Sequence, residues 1–107
     1  MAEPARDNAP WLQAGWPAPR GVHALTTLRH GAGSSLPPFD HFNLGSRSAA
    51  EGDDPAVVEA NRLQLAQLAG LPSSPHWLRQ VHGTGVFHAR APAQPLAADQ
   101  EPVADAA

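Results

Sequence analysis

Trp77-Leu-Arg-Gln-Val-His82-Gly-Thr-Gly-Val86 is the stretch that sets how the rest of the chain is read. An apolar, β-prone run ends on a histidine, and two glycines follow within three positions. A histidine at the mouth of a strand, with permissive backbone on one side, is well placed to act on something in solvent. Residues 76–81 read as a strand and residues 86–90 as a further one. If Gly83-Thr84-Gly85 is a tight hairpin, His82 sits at its tip; if it is a bulge, one strand runs through. Gln80 lies two residues before His82 and so shares its face.

Upstream of this stretch stands the clearest helix signal. Asp53-Asp54-Pro55 offers a side chain to cap free amides, a proline suited to the first helical position and negative charge at the positive end of the helix dipole. No breaker follows until Gly70, which predicts a helix from Pro55 to about Ala69 with a left-handed glycine cap, and Pro72 prevents its resumption. At 100° per residue, Val57, Val58, Ala60, Leu65 and Leu68 fall in one apolar stripe. Asn61 lies in the middle of that stripe. It is either a buried amide bonding a neighbouring loop, since buried polar groups must be paired, or a contact to ligand. Arg62 lies at the stripe's edge and could reach residues 39–45 or an anion.

Residues 21–29 (GVHALTTLR) read as the first strand. Neither of its faces is fully polar, which predicts cover on both sides. Residues 30–38 (HGAGSSLPP) are loop by composition, residues 39–45 (FDHFNLG) a short apolar segment ending at glycine, and residues 46–52 polar loop. Three regions result: a Pro/Ala/Trp-rich arm over 1–20, a body over 21–90 and an Ala/Pro-rich tail over 91–107. Four prolines in the arm prevent a regular helix and favour extended chain, and Trp11 and Trp16 are its expected anchors. Taken alone, the tail reads as exposed loop or disordered chain. Three β-prone segments and one helix make a partial α/β or α+β layer, because one helix cannot cover two faces of a sheet. By that logic the chain is a piece of a larger fold.

The totals exclude several classes. The 107 residues suffice for one small domain, with 42% hydrophobic and 16% charged residues, twelve prolines and nine glycines. A net charge of -3 argues against a general nucleic-acid or anionic-membrane surface. All seven basic residues are arginine, so Schiff-base chemistry and a phosphate-loop lysine are excluded within this chain. Without cysteine there is no disulfide, thiolate ligand or thiol nucleophile. The apolar runs are much shorter than a membrane span, and the acidic N-terminal residues do not form a secretory signal; the default expectation is a cytoplasmic protein.

Six histidines invite a metal reading, but His23, His30, His41, His76, His82 and His88 show no close helical pair or zinc-ligand spacing. His23, His76 and His88 read as packing or surface residues. His30 and His41 lie in loop-like segments that could approach a site. His82 alone combines a rigid approach with glycines that admit a substrate. The loop His30-Gly-Ala-Gly-Ser-Ser lacks the full phosphate-binding pattern and no helix follows it at once. Asp40, Asp53 and Asp54 read as turn and cap residues.

Thr26-Thr-Leu-Arg29-His-Gly31, Phe42-Asn43-Leu44-Gly45, Gly52-Asp53-Asp54-Pro55, Asn61-Arg62, Leu71-Pro72 and Pro75-His-Trp77-Leu78-Arg-Gln80-Val81-His82-Gly83 follow one another in that order. Together they resemble the N-terminal part of the YfiH family, the laccase-domain or multicopper polyphenol oxidase-like proteins, from about residue 21 to residue 86. Ala104-Asp105-Ala106 is similar to the family's next alanine-aspartate-alanine element. The resemblance implies an α/β sandwich of the family's own type, of which this chain would supply about three strands and one main helix. It implies purine nucleoside phosphorylase activity on adenosine, inosine and methylthioadenosine with phosphate, and in some members adenosine deamination. It further implies a metal, zinc or in some descriptions copper, held by two histidines and a cysteine. His82 matches the first histidine, as ligand or as acid/base when metal is absent. Asn43 and Arg62 match family motif positions near the pocket, with Arg29 as their expected partner in binding substrate, although the Thr-Thr-Leu-Arg29-His-Gly stretch departs slightly from the family's arginine–glycine-glycine form. With no cysteine here, the metal site is expected to be incomplete and the isolated chain inactive. Related members point to peptidoglycan-precursor editing or polyphenol oxidation as alternatives, although multicopper oxidation needs several paired sites that the spacing does not offer. A non-catalytic fragment or binding module is the alternative from another class.

Overall fold

The computed structural model describes residues 9–45, 52–94, 96 and 100–107. The first eight residues, most of the expected 46–52 loop and part of the tail lie outside them. The architecture is a partial α/β one, with a two-stranded antiparallel sheet and one helix.

Strand β1 (Trp11–Gln13) pairs antiparallel with β2 (Leu25–Thr27) in the register Trp11↔Thr27, Leu12↔Thr26, Gln13↔Leu25. The bonds Leu28 N–H to Pro10 O (2.7 Å) and Ala14 N–H to Ala24 O (3.1 Å) continue the pairing at both ends. Within the described part of the proline-rich arm, residues 11–13 are extended and supply the partner of the first expected strand. That strand is only three residues long rather than nine. It is also not covered on both faces: Leu25 and Thr26 are exposed. Trp11 is half-buried, whereas Trp16 is 48% exposed and anchors little.

Helix α1 (Pro55–Ala69) begins and ends where its sequence signals stand. Asp54 Oδ1 accepts from Ala56 N–H at 2.9 Å, and Pro55 takes the position where no amide is needed. Gly70 adopts φ 65°, and the Leu71 amide donates to Ala66 O at 3.0 Å, closing the last turn. The buried face, however, is Val58, Asn61, Arg62 and Leu65. Leu68, assigned to the apolar stripe, is 50% exposed, and Ala60 is exposed too. The observed face has the helical spacing i, i+3, i+4, i+7. Its partner surface consists of loop backbone that needs donors and acceptors, so the face that meets it is half polar.

That loop surface spans residues 33–45. Gly33 N–H donates to Gln64 Oε1 at 2.9 Å and Ser34 N–H to Asn61 Oδ1 at 3.1 Å. Asn61 Nδ2 donates to Ser35 Oγ and to Asn43 O, both at 2.9 Å. Asn61 is therefore the buried amide that bonds a neighbouring loop. Phe42, Val58, Leu65 and Ala104 are the buried apolar residues of the core.

The expected strands at 76–81 and 86–90 do not form a ladder with each other, and the hairpin and bulge readings of the glycines both fail. Each segment instead makes isolated parallel bridges to the tail, Arg79↔Val103 and Val86↔Ala106, and Ser74 pairs antiparallel with Ala93. The end of the tail is correspondingly not loose: Glu101 and Ala104 are buried. Its extended backbone lies along residues 79–87, with Arg79 N–H to Pro102 O at 2.7 Å and Phe87 N–H to Ala106 O at 2.8 Å.

Candidate functional site

His82 is exposed and has φ 59°, the one non-glycine residue at positive φ among the described residues. A left-handed conformation costs a residue with a Cβ about 1–2 kcal/mol, so something must hold it. The holding group is a carboxylate. Asp105 Oδ1 accepts from the amides of Val81 (2.9 Å) and His82 (2.8 Å), and Oδ2 accepts from that of Gly83 (2.7 Å). Successive amides turned inward by a left-handed residue form a concave anion site. Here its anion comes from the chain's own tail. The three amides, Gly83 foremost, hold the Asp105 carboxyl below the usual carboxylate range against a smaller opposing effect of desolvation, and a charged His82 adds to the lowering.

Arg62 is the second organised centre. Its side chain is 4% exposed and that of Glu101 is 5%, with Nη1 and Oε2 2.5 Å apart. Nε donates to Leu44 O at 3.2 Å and Nη2 to Gly45 O at 2.6 Å. The guanidinium also lies over the Trp77 ring, 4.2 Å from its centroid. Each guanidinium nitrogen thus has a partner within the chain. Arg29 differs, with a side chain 59% exposed. It donates from Nε to Asp40 O at 2.5 Å and from Nη2 to Pro38 O, while Asp40 Oδ1 stands 3.9 Å from Nη2. Asn43 Oδ1 accepts from Gly45 N–H at 3.1 Å, and its carbonyl is held by Asn61.

The structure brings Arg29 and Asn43 together in a shallow cleft of about 360 Å³, also lined by Phe39 and Phe42. Arg62 lines a different and larger cavity, about 650 Å³, with His76, Trp77, Phe87 and Glu101. His82 lines neither, so the four residues expected at one site are distributed over three places. The larger cavity is mostly apolar surface beside α1 and the tail, and its size says less about chemistry than the organised turn at His82. His30 and His41 meet through their Nδ1 atoms at 2.9 Å with ring centroids 4.9 Å apart. Among the described residues no three His, Cys, Asp or Glu side chains converge to hold a metal. The single expected ligand, His82, has no second donor beside it, and the one carboxylate nearby is occupied by amides. Glu101 was not singled out from sequence, and its only signal was acidity in the Ala/Pro-rich tail; Asp105 was noticed only within the alanine-aspartate-alanine element, with no role attached.

The chain belongs to the family described as multi-copper polyphenol oxidoreductase laccase, whose model matches residues 23–107. A purine nucleoside phosphorylase of Xylella fastidiosa (strain 9a5c) is 55% identical over 96 residues, 90% of this chain and 37% of that protein. The purine nucleoside phosphorylase YfiH of Escherichia coli (strain K12) is 50% identical over 72 residues, 67% of this chain and 28% of that protein. A Pseudomonas aeruginosa purine nucleoside phosphorylase is 47% identical over 89 residues, covering 83% and 34%. The chain therefore spans about a third of the length of these relatives. Among the described residues no helix is long and apolar enough to cross a membrane.

Proposed function

We propose that this chain is the His82-bearing part of a purine nucleoside phosphorylase of the YfiH type. The observation that carries the reading is the exposed histidine held at φ 59° by three amides closed on Asp105. A conformation this constrained on a surface turn is the mark of a site at which a side chain must stand in one place. The relatives named above supply the reaction class. In phosphorolysis a phosphate oxygen bonds to C1′ of the ribose as the bond to the purine nitrogen breaks, and the departing base takes a proton. His82 is the residue of this chain suited to handling that proton. Arg29, exposed beside Asn43, offers a cation to an anion in its own cleft, apart from His82; Arg62, fully engaged, we assign to holding the scaffold in place.

The metal that the resemblance implies does not fit the residues present. His82 is the one histidine that the resemblance matches, and with no cysteine in the chain and no cluster of three donors among the described residues the donor set is incomplete. The isolated chain is accordingly expected to release no hypoxanthine from inosine and phosphate. The test is a hybrid in which residues 21–107 replace the matching segment of the Escherichia coli relative. The hybrid should turn over inosine, and His82→Ala in it should lower kcat by about 100-fold or more. A hybrid that works equally well with alanine at position 82 would defeat the reading.

A further inference from the structure

The turn at residues 81–83 is organised from a distance. Its three amides converge on a carboxylate more than twenty positions later, and the backbone around that carboxylate is pinned on both sides. On one side Arg79 N–H donates to Pro102 O (2.7 Å) and Ala104 N–H to Arg79 O (3.3 Å). On the other, Asp105 N–H donates to Gly85 O (3.0 Å) and Phe87 N–H to Ala106 O (2.8 Å). Asp105 thus lies between two parallel bridges, opposite the turn, with both carboxylate oxygens committed to it. Gly83 permits the approach, since a Cβ there would stand 3.3 Å from Asp105 Oδ2. Among the described residues, the Asp105 carboxylate is the group bonded to the His82 amide at this left-handed turn.

We propose that Asp105 is the positioning residue of His82: by closing the three-amide turn, its carboxylate holds the His82 backbone left-handed and fixes where the imidazole stands. The proposal deepens the phosphorylase reading and rests on it for its chemical meaning, because a positioned histidine matters only if that histidine acts. Asp105 itself touches no reacting atom. Its contribution reaches the chemistry through one backbone angle two dozen residues away in sequence.

The test uses the full 107-residue chain, isotopically labelled, as wild type, Asp105→Ala, Asp105→Asn and Asp105→Glu. Three things are measured by NMR: amide exchange at residues 81–83, the one-bond Cα–Hα coupling of His82, which separates positive from negative φ, and the His82 ring shifts. Exchange at residues 58–65 of the helix is the control for folding. In the alanine and asparagine variants the three turn amides should exchange about 10-fold faster or more, the coupling should leave its left-handed value and the ring signals should move. Glutamate, which keeps the charge, should restore part of each. Asparagine keeps the shape and decides the matter if alanine disturbs the helix. Unchanged exchange and coupling in the asparagine variant, with the helix intact, overturn the proposal. Inosine and inorganic phosphate are titrated separately into the hybrid enzyme that carries residues 21–107. If they leave the His82 signals unmoved, the phosphorylase reading fails, while exchange and coupling still decide the role of Asp105.

Discussion

Glu101→Gln perturbs the most buried charge pair described and keeps its shape. Arg62 and Glu101 side chains are 4% and 5% exposed and 2.5 Å apart, so neither is screened by water. Removing one partner of such a pair costs about 3–5 kcal/mol, chiefly because the other charge stays buried without its counter-charge. Arg62 keeps the carbonyls of Leu44 and Gly45 and the Trp77 face, which places the expected loss near the lower end, about 3 kcal/mol. That is a change of more than about 100-fold in the ratio of folded to unfolded chain, a large part of what a small domain possesses. Urea unfolding followed by the helix circular dichroism measures it as a lower midpoint with an unchanged slope. The double replacement Arg62→Met with Glu101→Leu should lose less than either single one, because it removes both desolvation penalties together. A Glu101→Gln variant within about 1 kcal/mol of wild type, or a double variant as unstable as the sum of the singles, would show that the pair does not hold the tail as argued.

Three further outcomes follow from the same contacts. Gly33→Ala should lower the melting temperature by about 10 °C or more, because φ is +89° and a Cβ would stand in the backbone of His41 and Phe42; thermal denaturation reads this directly. Asn61→Leu should cost about 2–4 kcal/mol by leaving loop amides and carbonyls without their partner; a stable variant that has lost only ligand affinity would restore the ligand-contact reading. The Asp105 clasp should weaken in acid. Its folded pKa is depressed, so its stabilisation is fully present above the unfolded value of about 3.9 and is lost as pH falls through the lower folded one. Protection of the amides at residues 81–83, relative to their intrinsic exchange at each pH, should therefore fall below about pH 4 in wild type and show no such step in Asp105→Asn.

What the sequence made legible was local. Asp54, Pro55 and Gly70 act within one helical turn of themselves, and both ends of α1 follow from them. The role of Asn61 was legible because a buried amide must find partners, whatever they are. The helix face was misread because apolar residues were counted, whereas its partner is loop backbone and selects Asn61 and Arg62 over Leu68. The pairing of residues 79–86 with 103–106 gives no local sign. Alanine and proline carry no periodicity, and each parallel bridge needs two segments about twenty residues apart. β1 was hidden for a similar reason, since three extended residues among prolines look like any other part of the arm. At the site, a strand end followed by glycines singled out His82, and the order of motifs around it supplied the family. The clasp that orients it was invisible until the chain was folded.

The last eight residues, 100–107, reach the body through two acidic pins, Glu101 into the guanidinium of Arg62 and Asp105 into the turn at His82. Two pins four residues apart on an extended strand make a unit that can be detached. Supplied as a separate peptide to a chain cut before residue 100, the same octapeptide should restore protection at residues 81–83 in trans. It would need roughly millimolar concentration to match what the covalent linkage provides without cost. The acidic strand is thus a transferable key, and the order of the histidine turn becomes a quantity that can be titrated.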